Sequence, residues 1–527
     1  IGLVGSEMCI RDRYYSVVVF EKFPHSFVRT VYVSNHQYTE FGYARFIRGN
    51  IDEYDTHCRS ICHFSKFYYG YFAFGRIKRI KNKRRFLMRR KLICMLLTGT
   101  IAFSALGAAG CGDSGSKPFP VYTDDKEMLI GGWDAPLPTL EDYQLAKDMG
   151  LTFMFLDDLF VKRGTQGYAD VLGYCEQVGL KTILTLGNAA TMEYAAESWA
   201  ADKTDYSKFP AVTAINYWDE PYFSNIERIA ELAEEHVEKY GSKIDVFANL
   251  YPNSATSTFE GHTYNEYVAE YVDKVLTKVE DGHRYLSADI YPLDKGKDGG
   301  SALRSNWLNC IETVATQAKR VNAIPHFFLQ ATEHYTYRAV NEEDLRWQFY
   351  VYMAFGVKAF TYFTYRTSIL EDFSNSCVDA EESGKTYPVY DYAKTVNREM
   401  LNFDHVYLNF DWNGTMPILG TQSEQDYNMN FDGLNNPLSS IDALKGAQAT
   451  QDALIGQFKD KAGYDGLVVV NFTDPAYGLK NTVSLEFKDA SKVRVYKKGI
   501  AYDYQVLDNR FELELGVGEG VFMIPVA

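Results

Sequence analysis

Residues 128–158, MLIGGWDAPLPTLEDYQLAKDMGLTFMFLDD, contain two short apolar runs with an amphipathic segment between them. The runs Met128–Trp133 and Thr152–Leu156 are bounded by polar residues or glycine, as is typical of buried parallel strands. The segment between them, Thr139–Met149, has helical periodicity and ends at Gly150, a residue that can cap a helix. This stretch therefore predicts one strand–helix–strand unit.

The same alternation continues to about residue 410. Six further apolar runs are predicted strands: Thr182–Leu186, Val212–Tyr217, Asp245–Leu250, Tyr285–Ile290, His326–Gln330 and Ala359–Phe363. Further helices are predicted at Tyr168–Val178, Ala190–Ala200, Asn225–Tyr240, Tyr264–Val279, Leu303–Val321, Glu342–Phe355 (with Asn341 as N-cap) and Val389–Leu401. Eight strands, each followed by a helix, over about 280 residues predict an α/β fold, a (β/α)8 TIM barrel, for residues 128–410. The alternative, a doubly wound open sheet, usually has fewer units, and no glycine-rich phosphate turn follows any strand here.

The pattern changes after residue 411 to short strands of alternating polarity. The predicted strands are Ala453–Phe458, Gly466–Phe472, Thr482–Phe487, Lys492–Tyr496 and Phe511–Leu515, with one more after residues 516–521. They predict a small antiparallel β-sandwich over residues 411–527. No functional motif stands out in this part, so its expected role is to support the barrel.

The distribution of charge limits the possible partners. Residues 1–110 hold 18 of the 54 basic and 7 of the 69 acidic residues, so 36 basic and 62 acidic residues remain from Cys111 onward, a formal charge of −26. A body this acidic repels nucleic acid phosphates, so no nucleic-acid partner is expected.

A predicted export signal precedes Cys111. The basic stretch Arg76–Lys91 is followed by the uncharged, apolar stretch Leu92–Ala109. Residues 88–110 therefore resemble a bacterial lipoprotein signal peptide. The resemblance implies lipid attachment at Cys111, a tether over residues 111–127, and a body anchored on the extracytoplasmic face of the cell membrane. An uncleaved transmembrane anchor is the alternative.

Residues 1–87 are expected to be spurious upstream translation. Met88 is a natural start directly before the end of the basic stretch, and residues 6–13, SEMCIRDR, resemble translated sequencing-adapter read-through.

The cysteines that follow Cys111 predict no metal site. Cys175, Cys310 and Cys377 are far apart in sequence and lack metal-ligand spacing. Neither a disulfide framework nor a cofactor is expected.

Reactive side chains in a (β/α)8 barrel lie at the carboxyl ends of the strands, which meet at one rim. At these positions the sequence has carboxyl, amide and aromatic side chains, which suit a polyhydroxylated ligand. An oligosaccharide or polysaccharide is therefore the expected partner. The predicted ligand-binding residues are Trp133, Asp134, Asp157, Asp158, Asn188, Asp219, Tyr251, Asp289, Tyr291, Gln330 and Tyr365.

The strongest motif is the end of the fourth predicted strand, residues 216–221, NYWDEP. It resembles the fourth-strand motif of the large glycosidase clan that shares this barrel, where Asn-Glu-Pro ends the strand, and is nearest in style to the β-galactosidase-like families. The resemblance implies an O-glycosyl hydrolase with Glu220 as general acid/base and Asp219 on a sugar hydroxyl. Asp in place of Asn adds a negative neighbour, which is expected to raise the pKa of Glu220.

A glycosidase needs a second carboxyl group, and in this clan it is a Glu at the end of the seventh strand. Here Gln330 stands at that position, and Glu333 lies three residues later. Glu333 is the predicted nucleophile if the strand extends that far. If it does not, Asp289 or Asp158 is the candidate base of an inverting mechanism.

Three functions follow from these alternatives. The first is a glycoside hydrolase, and the second is a non-catalytic carbohydrate-binding barrel that has lost its nucleophile. The third, a solute-binding partner of a transporter, is less favoured because such proteins have two α/β lobes around a hinge.

Overall fold

The computed structural model describes residues 117–123, 125–186, 194–297, 299–369, 373–423, 431 and 433–527, and the backbone of two N-terminal strands. The chain divides into two compact units, residues 1–108 and 109–527. In the first unit, Tyr14–Val19 pairs antiparallel with Arg29–Ser34. The predicted signal and Cys111 lie outside the described residues. Within the described part, no helix has the length and apolar character needed to span a membrane.

Eight parallel strands, each followed by a helix, form the first part of the second unit. The strands are β1 (Leu129–Gly132), β2 (Phe153–Leu156), β3 (Lys181–Leu184), β4 (Val212–Asp219), β5 (Asp245–Leu250), β6 (Tyr285–Ala288), β7 (Ile324–Gln330) and β8 (Ala359–Phe363). The helices are α1 (Leu140–Asp148), α2 (Gln166–Val178), α3 (Tyr194–Ala201), α4 (Ile226–Tyr240), α5 (Tyr264–Lys274), α6 (Trp307–Arg320), α7 (Glu342–Ala354) and α8 (Pro388–Leu401).

The eight strands form a nearly closed ring. Their order is β1-β8-β7-β6-β5-β4-β3-β2, which follows the chain once around. The two ends of this order lie side by side, since the Thr152 amide donates to the Ile130 carbonyl at 2.8 Å and the Ile130 amide donates to Thr152 Oγ1 at 2.9 Å. The predicted barrel is confirmed. An open doubly wound sheet would instead reverse its strand order at a switch point.

One predicted helix begins later than the sequence suggested. Helix α6 begins at Trp307 rather than at Leu303. The reason is that Leu293–Lys295 and Ser301–Leu303 pair as two short antiparallel strands in the connection after β6. Strand pairing thus uses residues whose local pattern alone fits a helix.

Aromatic side chains fill the barrel interior. Phe153, Phe155, Phe247 and Phe328 belong to one apolar cluster inside the ring. Gly131 of β1 leaves room for this cluster, because a Cβ atom at that position would lie 2.3 Å from the Phe153 ring.

We expect Gly131→Ala to lower the free energy of unfolding by about 1–3 kcal/mol, because the added methyl group overpacks a filled core. The matched control is Gly173→Ala in the middle of α2, where nothing lies within 4 Å of the Cβ position. This control should raise the free energy of unfolding by about 0.5–1 kcal/mol, since alanine favours the helix. Urea unfolding measures both variants, and a Gly131→Ala chain as stable as the control would contradict the packing argument.

Two antiparallel sheets follow the barrel. The strands are β9 (Phe410–Ile418), β10 (Leu444–Ala449), β11 (Ala453–Asp460), β12 (Asp465–Asn471), β13 (Asn481–Phe487), β14 (Lys492–Lys497), β15 (Ile500–Gln505), β16 (Arg510–Leu515) and β17 (Gly520–Val526). One sheet has the order β9-β11-β12-β17-β14-β15 and the other β10-β13-β16. Both contribute to one apolar cluster, which includes Ile455 and Val469 from the first and Val483 and Leu513 from the second. The predicted antiparallel strands are confirmed.

Helix α7 contacts both the barrel strand β7 and the larger C-terminal sheet. Every residue from Asp344 to Ala354 is buried. Asn341 caps the helix as predicted, since its side chain accepts from the Asp344 amide at 2.8 Å. On the sheet side, a Cβ atom at Gly456 would lie 2.3 Å from the carbonyl oxygen of Ala354, so helix and sheet backbones are in direct contact.

Candidate active site

A register shift at the end of β4 positions Asp219. Between Asn216 and Asp219 the pairing of β4 with β5 is irregular, and Asp219 stands opposite Asn249. A bulge of this kind changes the direction of the side chains that follow it. Asn249 bonds to the Asp289 carboxyl group, so Asp219 is placed at the same end of the barrel as Asp289.

Glu220 has a strained backbone that is anchored on both sides. Its φ of +56° lies in the left-handed region, which costs a non-glycine residue on the order of 1 kcal/mol. The Glu220 amide donates to the Asn249 carbonyl at 2.8 Å, and the Tyr267 hydroxyl donates to the Pro221 carbonyl at 2.7 Å. These two bonds hold the turn in the conformation that carries the Glu220 side chain.

Three carboxyl groups, those of Asp219, Glu220 and Asp289, interact at this end of the barrel. Asn249 acts on two of them, because its Nδ2 donates to Asp289 Oδ1 at 3.1 Å and its side chain opposes the rise that burial causes in the pKa of Asp219. Asp289 is buried, while Asp219 and Glu220 are partly exposed. We call Asp219, Glu220 and Asp289 the carboxyl cluster.

The surroundings of the carboxyl cluster separate its members by proton affinity. Burial raises the pKa of Glu220 well above its ordinary value, and the charges of Asp289 and Asp219 raise it further, in the direction expected from the sequence. Burial also raises the pKa of Asp289, but a hydrogen bond from Asn249 and the positive charge of Arg304 act against this rise. Glu220 therefore keeps its proton, and Asp289 ionises more readily.

Glu220→Gln should stabilise the fold at high pH. A carboxyl group whose pKa is raised on folding contributes stability that is complete below the unfolded pKa, about 4.3, and is lost as the pH rises through the folded pKa. We expect the variant to melt at a higher temperature than the wild type at pH 8, with a smaller difference at pH 5. Thermal unfolding at both pH values measures this, with Glu238→Gln on the exposed face of α4 as the matched control. A gain that does not grow with pH would contradict the raised pKa.

Tyrosine side chains lie beside the carboxyl cluster. The predicted residue Tyr251 is partly exposed and interacts with Glu220. Its ring centroid lies 6.0 Å from that of Tyr222, which is 48% exposed and was not among the predicted residues. Tyr222 follows Glu220 by two residues, and its place next to the motif is the signal that could have identified it.

The predicted residue Tyr291 lies in the wall of the barrel beside the carboxyl cluster. It is buried, its ring stacks on Phe363 with centroids 4.8 Å apart, and it contacts Tyr337 at 5.2 Å. Tyr291 also interacts with the charges of Asp289 and Glu220. It is therefore brought together with the carboxyl cluster.

Trp133 and Asp157 take part in packing and backbone bonding. Trp133 is 8% exposed and packs on Phe155 and Phe328 of the barrel interior, with centroids 4.9 and 5.8 Å apart. The Asp157 carboxyl group accepts from the backbone amides of Ala135 and Leu159 at 3.1 and 2.8 Å. These contacts fix the positions of both side chains, and their roles in ligand binding stay predictions.

Gln330 and Tyr365 are fully buried. The Gln330 side chain bonds in both directions to the backbone of Leu293, at 3.1 and 2.9 Å, and donates to the Arg338 carbonyl at 3.0 Å. The Tyr365 side chain packs where a Cβ atom on Gly132 would lie 2.6 Å from it. Both side chains are therefore held in the core, and their roles in ligand binding stay predictions.

Glu333 belongs to a separate two-residue strand, Glu333–His334, beyond β7, which ends at Gln330. Its carboxylate is 3.1 Å from Lys295 Nζ and accepts from Asn375 Nδ2 at 2.8 Å. The interaction with Lys295 lowers the pKa of Glu333. The strand extension that would make Glu333 the nucleophile is thus absent, and its partners differ from those of Glu220; its catalytic role stays a prediction.

The remaining predicted residues are at the edge of the site or outside the described part. The Asp158 side chain is 22% exposed and lies 4.0 Å from Arg163 Nε. Asp134 is mostly buried, with a φ of +62°. Asn188 and the lipid-attachment residue Cys111 are not among the described residues. Within the described residues, no group of three or more His, Cys, Asp or Glu side chains is arranged to hold a metal ion.

Comparison with known proteins gives weak structural likenesses. No family model and no curated protein matches the sequence. Solved structures with a similar chain path include a proposed α-galactosidase from Bacteroides fragilis (13% identity, TM-score 0.44, covering 76% of this chain and 78% of that one). Others are a proposed α-galactosidase/melibiase of the same organism (11%, 0.43, 76% and 79%) and an Anoxybacillus α-amylase (10%, 0.40, 76% and 98%). Likenesses of this size identify neither a family nor a reaction.

Proposed function

We propose that this chain is a glycoside hydrolase that cleaves an O-glycosidic bond in an oligosaccharide or polysaccharide. The observation that carries the proposal is the carboxyl cluster at the carboxyl end of the barrel strands, whose members differ in proton affinity. Glycosidic cleavage requires such a pair, one group protonated and one ionised. In this proposal Glu220 is the general acid and Asp289 is the second carboxyl group.

The reaction begins with proton transfer from Glu220 to the glycosidic oxygen, as the bond from that oxygen to the anomeric carbon breaks. The ionised Asp289 either takes a proton from the attacking water or attacks the anomeric carbon itself. The first route inverts the configuration at that carbon. The second forms a glycosyl ester, which is hydrolysed by a water that Glu220, now ionised, activates, and the configuration is retained.

Substrate contacts follow from the same geometry. In this proposal the Asp219 carboxyl group, which is partly exposed, accepts a hydrogen bond from a sugar hydroxyl. The exposed ring of Tyr222, beside Tyr251, offers a face on which the C–H side of a pyranose can stack.

The proposal extends to the cellular location and to the C-terminal part. The basic stretch, the apolar stretch and Cys111 support an extracytoplasmic lipoprotein. Loss of lipid labelling in Cys111→Ser would test the anchor. The shared apolar cluster of the two C-terminal sheets supports a sandwich arrangement that braces helix α7.

A second candidate function is carbohydrate binding without catalysis. It is favoured by the end of β7, where the clan has its nucleophile and this chain has the buried Gln330, with its amide bonded to the backbone. The ion pair between Glu333 and Lys295 points in the same direction.

The experiment that decides between the two functions is a screen of the full-length protein. Chromogenic α- and β-glycosides report cleavage, reducing ends report cleavage of oligosaccharides and polysaccharides, and calorimetry reports binding. The hydrolase proposal expects release from at least one compound, with NMR of the first product giving the configuration. Sugar binding without release from any compound would establish the second function.

A further inference from the structure

A chain of buried hydrogen bonds crosses the barrel interior and ends at Asp289. Thr361 Oγ1 lies 2.8 Å from His326 Nε2, and His326 Nδ1 lies 2.8 Å from Ser287 Oγ. Ser287 Oγ donates to Asn249 Oδ1 at 2.7 Å, and Asn249 Nδ2 donates to Asp289 Oδ1 at 3.1 Å. The first four residues come from the neighbouring strands β8, β7, β6 and β5, and none is more than 2% exposed. We call these four residues the relay.

The chemistry of the donors and acceptors fixes the direction of the relay. Asn249 Oδ1 can only accept, so the Ser287 hydroxyl uses its single hydrogen there. Ser287 Oγ must then accept from His326, which places the hydrogen of the imidazole on Nδ1. Nε2 has no hydrogen and accepts from Thr361. All four hydrogen bonds therefore donate towards Asp289.

His326 must be neutral for this arrangement. An imidazolium would donate from both nitrogens and could not accept from Thr361. Burial among the rings of Phe153, Phe155 and Phe247 lowers the pKa of His326 to about 3, so the ring stays neutral at ordinary pH.

We propose that His326 is a positioning residue, which acts through the relay to keep the Asp289 carboxylate ionised and correctly oriented. Hydrogen bonds in series polarise one another, so a donor at the far end strengthens the bond that reaches the carboxylate. The consequence for catalysis rests on the proposed function. The direction of the relay and its effect on the proton of Asp289 do not.

Other groups around Asp289 set the background against which the relay acts. Burial disfavours the ionised form of Asp289, and a hydrogen bond from Tyr291 and the charge of Arg304 favour it. The other titratable groups that face Asp289 are Asp219, Glu220, Tyr251, Tyr264, Tyr267, Cys310, Tyr337 and Tyr352. None of these belongs to the relay.

The first test determines the tautomer of His326. 15N NMR of the full-length protein labelled in histidine is expected to show the hydrogen on Nδ1, with the signal assigned by its loss in His326→Gln. Free histidine prefers the hydrogen on Nε2, so the expected result differs from the default. A hydrogen on Nε2 would mean that the relay donates away from Asp289 and would overturn the proposal.

The second test removes hydroxyl groups from the relay. Ser287→Ala is expected to raise the pKa of Asp289 by about 0.3 pH units, and Thr361→Val by less, because the bond that reaches the ionised form loses its polarisation by the relay. Carboxyl 13C NMR of aspartate-labelled full-length protein measures the pKa. Thr182→Val on β3 is the matched control, since it removes a fully buried hydroxyl that bonds to the Ala211 carbonyl outside the relay, and it should leave the pKa of Asp289 unchanged.

The outcomes separate this proposal from the hydrolase proposal. If a glycosidic substrate is cleaved, the acidic side of the pH–rate profile should move with the pKa of Asp289. If Ser287→Ala shifts the pKa of Asp289 but the wild-type protein cleaves no glycoside, the relay proposal is supported and the hydrolase proposal is rejected. An unchanged pKa in both Ser287→Ala and the more conservative Thr361→Val would overturn the relay whether or not the protein is an enzyme.

Discussion

Glu220→Gln is expected to lower kcat by about 10³-fold, because the amide cannot supply the proton that the leaving oxygen needs. The amide keeps the size and shape of the side chain, so affinity for the sugar should change little. The measurement is steady-state hydrolysis combined with calorimetric binding of the same sugar. Glu238→Gln is the matched control and should retain wild-type kcat, since that glutamate is exposed on α4.

The size of this loss should depend on the leaving group. A nitrophenolate departs with little protonation, whereas a sugar alkoxide needs the proton to depart. Glu220→Gln should therefore lose less activity on nitrophenyl glycosides than on an oligosaccharide. An equal loss on both substrates, or a parallel loss of binding, would show that Glu220 is not the general acid.

Asp289→Asn should have an effect at least as large as that of Glu220→Gln, about 10³-fold or more in kcat, because it removes the negative charge that acts at the anomeric carbon. The informative comparison is Glu333→Gln, which alters the carboxylate bonded to Lys295 and Asn375 and should change kcat by no more than a few-fold. Steady-state kinetics on one substrate measures both. The opposite order of effects would identify Glu333 as the nucleophile, as the resemblance to the glycosidase clan implies.

A rescue experiment distinguishes the two possible roles of Asp289. If Asp289 is a nucleophile, azide should restore turnover to a smaller variant, Asp289→Ala, and give a glycosyl azide of inverted configuration. If it activates water, the wild-type product is itself inverted. Folding of the variant is checked by its melting temperature.

The strands and most of the helices could be predicted because their signals are local. Apolar runs of the right length and glycine at helix ends mark elements such as β5 and α2, and the end of β4 placed Glu220 at the rim. The rule that reactive side chains lie at the carboxyl ends of the barrel strands is less precise than the side-chain geometry, however. It selects positions by their place in a strand and does not state which side chains the core will use.

Gln330 and Tyr365 show why the rest could not be predicted. Gln330 stands at the end of β7 and Tyr365 just beyond β8, but Leu293, which bonds to Gln330, and Gly132, which packs on Tyr365, come from distant parts of the chain. No local pattern contains those contacts. Asn249 was within reach of the sequence, because it lies two residues after the inward-facing Phe247, and side chains on a strand alternate.

The burial of helix α7 has a consequence for how this protein can evolve and be dissected. Between Asp344 and Ala354 no face of the helix is exposed to solvent, because the larger C-terminal sheet covers the face that does not pack on the barrel. A fragment that stops near residue 410 would expose aromatic residues such as Trp347, which stacks on Phe472 at 5.9 Å. We therefore expect the barrel and the sheets to melt in a single transition, and we expect an exchange of either part to require matched changes on the buried faces of α7.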